Sequence, residues 1–247
     1  MNKASKIAIV GATGMVGQSF LKLLEKVYFQ DAEISLLASS NSAGKEINFR
    51  GKNHRVEDLS KFNFSEFDLA LFSAGSSVAS TYAPIAVSQG CVVVDNSSCF
   101  RYEDDIPLIV PEVNSKVLDD YELPGIIANP NCSTIQMLVA LKPLHDEFVI
   151  ERIDVTTFQA VSGTGKKATE ELIDQIDVYE GNTEVKSSIY AKPIANNVLP
   201  HCDVFEENRY TKEENKLVKE THKILDLNIQ VAATCVRVPV LLSLIHI

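Results

Sequence analysis

Short apolar runs separated by small or polar turns dominate the first half of the chain: Ile7–Val10, Ile34–Ala38, Asp68–Phe72, Cys91–Val94 and Ile126–Ala128. Runs of this length suit strands buried on both faces and are too short for buried helices. After the first run, Val16, Phe20, Leu21, Leu23, Leu24 and Val27 recur at helical spacing, and another helix is predicted from the Ser73–Ser77 turn to about Gln89. Repetition of strand, turn and helix predicts an α/β fold: a Rossmann-type, doubly wound dinucleotide-binding domain over residues 1–128. Leu108–Glu112 and Ile126–Ala128 are expected to complete its sheet, with a helical segment at Asn114–Leu118 between them. Glu46–Asn48 and His54–Glu57 flank Arg50-Gly51-Lys52 as a small hairpin.

The pattern changes in the second half. Ile135, Leu138, Val139, Leu141 and Leu144 form a helical stripe directly after Asn129-Pro130-Asn131-Cys132. Ile153, Val155, Thr157 and Gln159 then alternate along one face of a predicted strand that ends at the turn Ser162-Gly163-Thr164-Gly165. Helices are predicted over Glu170–Tyr179 and from Thr211 to Leu225, a strand over Ile229–Pro239 carrying Arg237, and an irregular polar excursion over Gly181–Ala195. Residues 129–247 therefore read as a second domain, of α+β character.

Chemistry enters at the turns. Gly11-Ala12-Thr13-Gly14-Met15-Val16-Gly17 joins a strand to a helix, where glycines let the backbone turn tightly and approach a pyrophosphate at the helix N-terminus. Ser73-Ala74-Gly75 is a second small-residue turn at a strand's carboxyl end, the place where an open α/β sheet binds its ligand. An NAD-binding unit would end its second strand with an acidic residue for the ribose. This chain has Ser39-Ser40-Asn41-Ser42-Ala43-Gly44-Lys45, whose hydroxyls, amides and lysine suit a 2′-phosphate and favour NADP; such serine-rich loops are otherwise ordinary connectors. Arg101 follows the strand-end turn Asp95-Asn96-Ser97-Ser98, which suits anion binding. Cys132 falls at a strand-to-helix turn, where unpaired backbone N–H groups and the helix dipole favour a thiolate and so a nucleophile. A cysteine without that context is ordinarily a small buried thiol. Glu213 and Lys216 lie three apart on one helix face, a spacing that by itself describes a solvent-exposed pair.

Composition narrows the classes. With 23 basic against 33 acidic residues the net charge is −10, which argues against a nucleic-acid or anionic-membrane surface. The five cysteines, Cys91, Cys99, Cys132, Cys202 and Cys235, show no C-x-x-C pairing and no ligand-like histidine spacing, so a reducing compartment and no structural metal are expected. The first apolar run breaks at Gly11, short of the ~7 residues of a signal h-region, and no later run approaches the ~18 of a membrane span. A cytoplasmic protein is expected.

Eight blocks together carry a family resemblance: GATGMVG at 11–17, SAG at 42–44, FSAGSS at 72–77, DNSSCFR at 95–101, NPNCSTIQ at 129–136, QAVSGTG at 159–165, EENK at 213–216 and TCVRVPV at 234–240. In this order they resemble bacterial-type aspartate-semialdehyde dehydrogenase. The resemblance implies a Rossmann-type NADP domain followed by a catalytic and dimerisation domain of the glyceraldehyde-3-phosphate dehydrogenase-like kind. It implies Cys132 as the acyl-accepting nucleophile and Gln159 as the side chain that orients sulfur and substrate. Arg101 and Lys216 match phosphate-holding groups, Glu213 the partner of the substrate amine, and Arg237 the partner of its α-carboxylate. The nucleotide contacts assigned with it are Gly11, Thr13, Gly14, Met15, Val16, Gly17, Ser39, Ser40, Ser42, Ser73, Ala74, Gly75, Asn96, Ser162 and Gly163. The implied reaction is reductive dephosphorylation of aspartyl phosphate by NADPH through a cysteine thioester, in a protein that is a homodimer when full-length.

The family places a general acid/base histidine seven residues after the Arg237 position, where this chain has Leu244; His246 lies two residues on, which along a strand displaces the ring by about 7 Å. The tail from Leu241 departs from the family pattern. A truncated reading frame with a foreign tail, an incomplete second domain and an aggregation-prone exposed sheet edge are therefore expected. Two other readings stay open: an N-acetylglutamyl-phosphate reductase-like enzyme, and a catalytically dead NADP-binding chain. Asn41 stands where many relatives have an arginine beside the adenosine 2′-phosphate. Weakened NADP selectivity is therefore expected, read as similar Michaelis constants for NAD and NADP; a large preference for NADP would refute it.

Overall fold

A computed structural model describes residues 6–26, 29, 31–180 and 185–242. Val27, positions 1–5, the start of the polar excursion at 181–184, and Leu244 and His246 lie outside the described residues. The chain divides into two compact units, Met1–Pro130 and Asn131–Ile247.

In the first unit the order is β1 (Lys6–Val10), α1 (Met15–Lys26), β2 (Glu33–Ala38), β3 (Glu46–Phe49), β4 (Lys52–Arg55), β5 (Glu57–Asp58), β6 (Leu69–Phe72), α2 (Ser76–Ser88), β7 (Val92–Asp95), α3 (Pro111–Asn114) and β8 (Ile126–Ala128). Six strands form one sheet in the order β5-β2-β1-β6-β7-β8, while β3 and β4 form the expected hairpin. Every pairing in the large sheet is parallel.

The period-two alternation of β1 builds two cores. Ile7 and Ile9 pack with Leu21 and Leu24 of α1 and with Ile34 and Leu36. Ala8 and Val10 face the other way, into Ala79, Ala83 and Ala86 of α2 together with Leu37, Ala70, Phe72 and Val93. Alternate side chains of one strand thus bind helices to opposite faces of the sheet, which is what doubly wound means physically.

One expected strand is corrected. Of the Leu108–Glu112 run only Leu108 bridges to Ala128, and α3 begins at Pro111. Proline lacks the N–H that a ladder needs, and its fixed φ suits the first turn of a helix. Leu108, Ile109 and Val110 are buried as extended chain, and the Asn114 side chain accepts from the Val110 N–H at 2.9 Å. The helical segment expected at Asn114–Leu118 is a 3-10 turn over Ser115–Leu118.

The second unit contains α4 (Cys132–Phe148), β9 (Arg152–Gln159), a 3-10 turn (Val161–Thr164), α5 (Lys166–Glu180), α6 (Lys212–Ile224) and β10 (Gln230–Arg237). Strands β9 and β10 pair in parallel, with Ile153 opposite Val231 and Gln159 opposite Arg237. Helix α5 starts at Lys166 rather than Glu170, because Ala168 and Leu172 extend its apolar face onto Val161 and Ile194. Strand β10 stops at Arg237, two residues before Pro239, which cannot donate to a ladder.

Helix α6 opens with a capping box. The Thr211 hydroxyl accepts from the Glu214 N–H, and Glu214 Oε2 accepts from the Thr211 N–H at 2.7 Å. The other Glu214 oxygen accepts the Cys235 N–H of β10 at 3.0 Å, so one buried carboxylate starts the helix and ties it to the strand. Glu214→Ala loses the cap and strands the Cys235 amide. A loss of about 2–4 kcal/mol is expected in urea unfolding, and a change below about 1 kcal/mol would contradict this account.

Candidate active site

Neighbours of β1 in the sheet are β2 on one side and β6 on the other, so the chain reverses its winding direction between β1 and β6. Ligands of open α/β sheets bind beyond the strand ends at such a point. A cleft of about 640 Å³ lies there, lined by Gly11, Thr13, Gly14, Ser39, Ser40, Ser73 and Ala74 among others. Its walls are built for close approach. Gly11 has φ +87°, and a Cβ on it would sit 2.9 Å from Ser73 Oγ; a Cβ on Gly17 would lie 2.3 Å from the Gly11 carbonyl oxygen, so helix and turn can meet only through glycine. Shape, strand-end position and small-residue walls fit a dinucleotide.

Other residues assigned to the nucleotide fall around this cleft or apart from it. Met15 and Val16 begin α1, and Gly75 precedes α2 with φ +85°. Ser42 lies in the turn after β2 and accepts from Lys45 Nζ at 3.4 Å. Asn96 follows β7, its Oδ1 accepting from Asn129 Nδ2 at 2.6 Å. Ser162 and Gly163 belong to the second unit, in the 3-10 turn after β9. The sequence reading missed Asp58, Ser60 and Tyr82 as lining residues; Asp58 sits opposite Ala38 in the β2–β5 register, a pairing that no local pattern announces.

Arg101 is buried at 6% exposure, with Nε donating to the Ser97 carbonyl at 3.0 Å and Nη2 to the Asn96 carbonyl at 3.2 Å. Its guanidinium is thus fixed against the turn that follows β7.

In the second unit Cys132 is the first residue of α4, capped by Asn131, whose Oδ1 accepts the Ser133 N–H at 2.9 Å. The expected strand-to-helix position of this sulfur is observed. A cavity of about 620 Å³ is lined by Cys132, Ser133, Gln159, Gly163 and Arg237 among others. Register explains the meeting of two of them, since Gln159 and Arg237 are partners at the ends of β9 and β10. Gln159 Nε2 lies 3.3 Å from Ser133 Oγ, 3.2 Å from Thr157 Oγ1 and 3.2 Å from Glu213 Oε1. Arg237 is buried; its Nη1 donates to the Ala160 carbonyl at 2.7 Å, while Nε has no hydrogen-bond partner among the described residues. A buried donor without a partner is costly, so this position calls for an acceptor that the described residues do not supply.

Glu213 and Lys216 are not the solvent-exposed pair that their spacing suggests. Glu213 is only 8% exposed, and its carboxylate receives Asn131 Nδ2 at 3.0 Å and Lys216 Nζ at 2.9 Å. Lys216 also donates to Asp203 at 3.0 Å, a partner the sequence reading did not find because it lies in an irregular loop. Desolvation works to raise the Glu213 pKa, but the Lys216 charge and the hydrogen bonds from Lys216, Asn131 and Gln159 outweigh it and hold the carboxyl below its ordinary value. Burial likewise opposes the Lys216 charge, yet Glu213 and Asp203 keep its pKa above the usual lysine value. At the other four thiols the ionised form is disfavoured: burial pushes Cys91 and Cys235 up to about 12 and Cys202 to about 11, and raises Cys99. Among the described residues no cluster of side chains could hold a metal, and no helix is long and apolar enough to cross a membrane.

Both halves match families of one enzyme class. Residues 6–121 match the family model described as "Semialdehyde dehydrogenase, NAD binding domain", and residues 141–245 the one described as "Semialdehyde dehydrogenase, dimerisation domain". Aspartate-semialdehyde dehydrogenase of Legionella pneumophila is 55% identical over 98% of this chain and 70% of its own length; that of Aquifex aeolicus is 53% identical over 95% and 70%. Among solved structures, aspartate semialdehyde dehydrogenase II of Vibrio cholerae complexed with ASA superposes with a TM-score of 0.93 at 48% identity, covering 97% of this chain and 71% of that one. The Candida albicans enzyme with NADP gives 0.70 at 29% identity, over 96% and 68%. The chain belongs to the aspartate-semialdehyde dehydrogenase family.

The Glu213 pairing sets a pH dependence. A carboxyl held below its unfolded value of 4.5 contributes stability that is present above that value and lost as pH falls through the folded pKa. Wild type is expected to lose stability as pH falls from about 5 through the folded pKa, and Lys216→Met to lose less, because desolvation of Glu213 is then opposed only by the hydrogen bonds from Asn131 and Gln159. Parallel pH profiles in urea unfolding would contradict the pairing.

Proposed function

We propose that this chain catalyses NADPH-dependent reductive dephosphorylation of L-aspartyl 4-phosphate to L-aspartate 4-semialdehyde, in the biosynthesis of lysine, threonine and methionine. The observation that carries the reading is Cys132 at the first turn of α4, lining one cavity with Gln159 and the buried Arg237.

The Cys132 thiolate attacks the acyl carbon of the substrate. Phosphate leaves with the electrons of the C–O bond, and a thioester remains on the sulfur. Backbone N–H groups at the start of α4 stabilise the anionic sulfur before attack. Gln159, held by Ser133 and Glu213, orients sulfur and substrate. Arg237 pairs with the α-carboxylate, for which a guanidinium fork is suited, and Glu213 accepts the substrate ammonium. Lys216 remains charged and is assigned to phosphate, as is Arg101 of the first unit on the strength of the DNSSCFR block. NADPH, for which Gly11, Gly14, Ser39, Ser40 and Ser73 form the cleft, would supply hydride to the acyl carbon when bound; the C–S bond then breaks, its electrons returning to the Cys132 sulfur as the aldehyde leaves. A thioester accepts hydride more readily than the oxygen ester that a serine would form, and a thiolate is the better leaving group, which is why sulfur serves here. The five free cysteines support a reducing, cytoplasmic setting, and the match to a dimerisation domain supports a homodimer.

Phosphate-dependent NADP reduction with aspartate semialdehyde tests the assignment. The chain is expected to turn over and Cys132→Ala to lose activity by about 10⁴-fold or more; undiminished turnover in the variant would overturn it.

A further inference from the structure

An N-cap residue frequently gives its own backbone N–H to a glutamate three residues into the same helix, as Thr211 does to Glu214 in α6. Helix α4 has no such acid. Its corresponding position is Thr134, fully buried, whose hydroxyl has no partner among the described residues. The Asn131 N–H goes instead to Glu220 of α6, donating to Oε2 at 2.7 Å. Glu220 is 0% exposed and lies two turns beyond Glu213 on the same face of that helix. Asn131 therefore has both ends tied to α6: its backbone to Glu220, and its side-chain Nδ2 to Glu213 at 3.0 Å. The same side chain caps the helix at Ser133, immediately beyond Cys132.

We propose that Glu220 is a positioning residue for the reaction: by accepting the Asn131 N–H it fixes where the first turn of α4, and so the Cys132 sulfur, stands relative to Glu213. It acts through Asn131 and touches no substrate. The inference rests on the proposed role of Cys132, because only then does the placement of that sulfur govern rate. Its physical content is a registration of two helices, with the nucleophile on one and the amine-binding carboxylate on the other joined through one asparagine. A small shift of a nucleophile is costly in rate, with displacements near 1 Å costing on the order of 10²-fold.

Two variants of the full chain separate this role from burial and charge. Glu220→Gln and Glu220→Met both remove the charge and keep the approximate length, but only Gln keeps an oxygen that can accept the Asn131 N–H. Three readouts apply to each: thermal melting, the kcat and KM split, and the rate of Cys132 alkylation by iodoacetamide followed by peptide mass mapping. Glu220→Gln is expected to stay within about threefold of wild type in kcat and alkylation, and Glu220→Met to lose about 10- to 100-fold in kcat with KM changed by less than about threefold, together with slowed alkylation. Equal kcat and equal alkylation in the two variants would overturn the proposal. So would a tenfold loss of kcat in Glu220→Gln, the outcome that decides the matter if the Met variant does not fold. Alkylation requires no turnover, so it still reads the placement of the sulfur if the proposed reaction itself fails.

Discussion

A helix cannot satisfy the amides of its own first turn, and in α4 that ordinary deficit has become the organising constraint of the second unit. Asn131 closes the turn by accepting from Ser133, and α6 holds Asn131 from outside through Glu213 and Glu220. Glu213 in turn gathers Lys216 and Gln159, and Gln159 stands beside Arg237 across the β9–β10 ladder. Helices α4 and α6 thus meet at the residue preceding Cys132, and β9 joins them through Gln159 and Glu213. Glu213 has the opposite charge of Lys216 and two further donors in Asn131 and Gln159, the condition under which burial of an ion is tolerable. Arg237 Nε, on the strand beside Gln159, has no hydrogen-bond partner among the described residues.

The first unit solves a different problem. It must bring backbone close to an extended anionic ligand, and it does so by omitting side chains. Gly11 and Gly17 occupy positions where a Cβ would collide with the neighbouring turn, and the reversal of winding between β1 and β6 opens the cleft above them. The two-core packing of β1, with Ile7 and Ile9 to one helix and Ala8 and Val10 to the other, holds this strand end in place.

Much of this was legible in the sequence wherever structure follows from local periodicity. The parallel sheet, the glycine turn, the start of α4 at Cys132 and the Thr211–Glu214 helix start all follow from spacing and capping chemistry within a few residues. Failures came where a local signal met a tertiary one. The apolar Leu108–Val110 run resembled a strand, but Pro111 could not continue a ladder. Glu213 and Lys216 had the spacing of an exposed pair, yet Glu213 is buried and Lys216 half-buried, because Asn131, Gln159 and Asp203 from other segments close over them. Asp203 and Glu220 gave no sequence signal tied to a site. Their partners lie 13 and 89 residues away, and a single chain read in order does not reveal which carboxylates share an environment.

The central claim is that the substrate's acyl group passes to Cys132 and to no other sulfur. Rapid acid quenching of the chain with aspartyl phosphate, without nucleotide, followed by peptide mass mapping, tests it most directly. The account predicts an aspartyl adduct on the peptide containing Cys132, formed together with released phosphate and absent from Cys132→Ala. An adduct on Cys91, Cys99, Cys202 or Cys235, or phosphate release that persists unchanged in the variant, would contradict it.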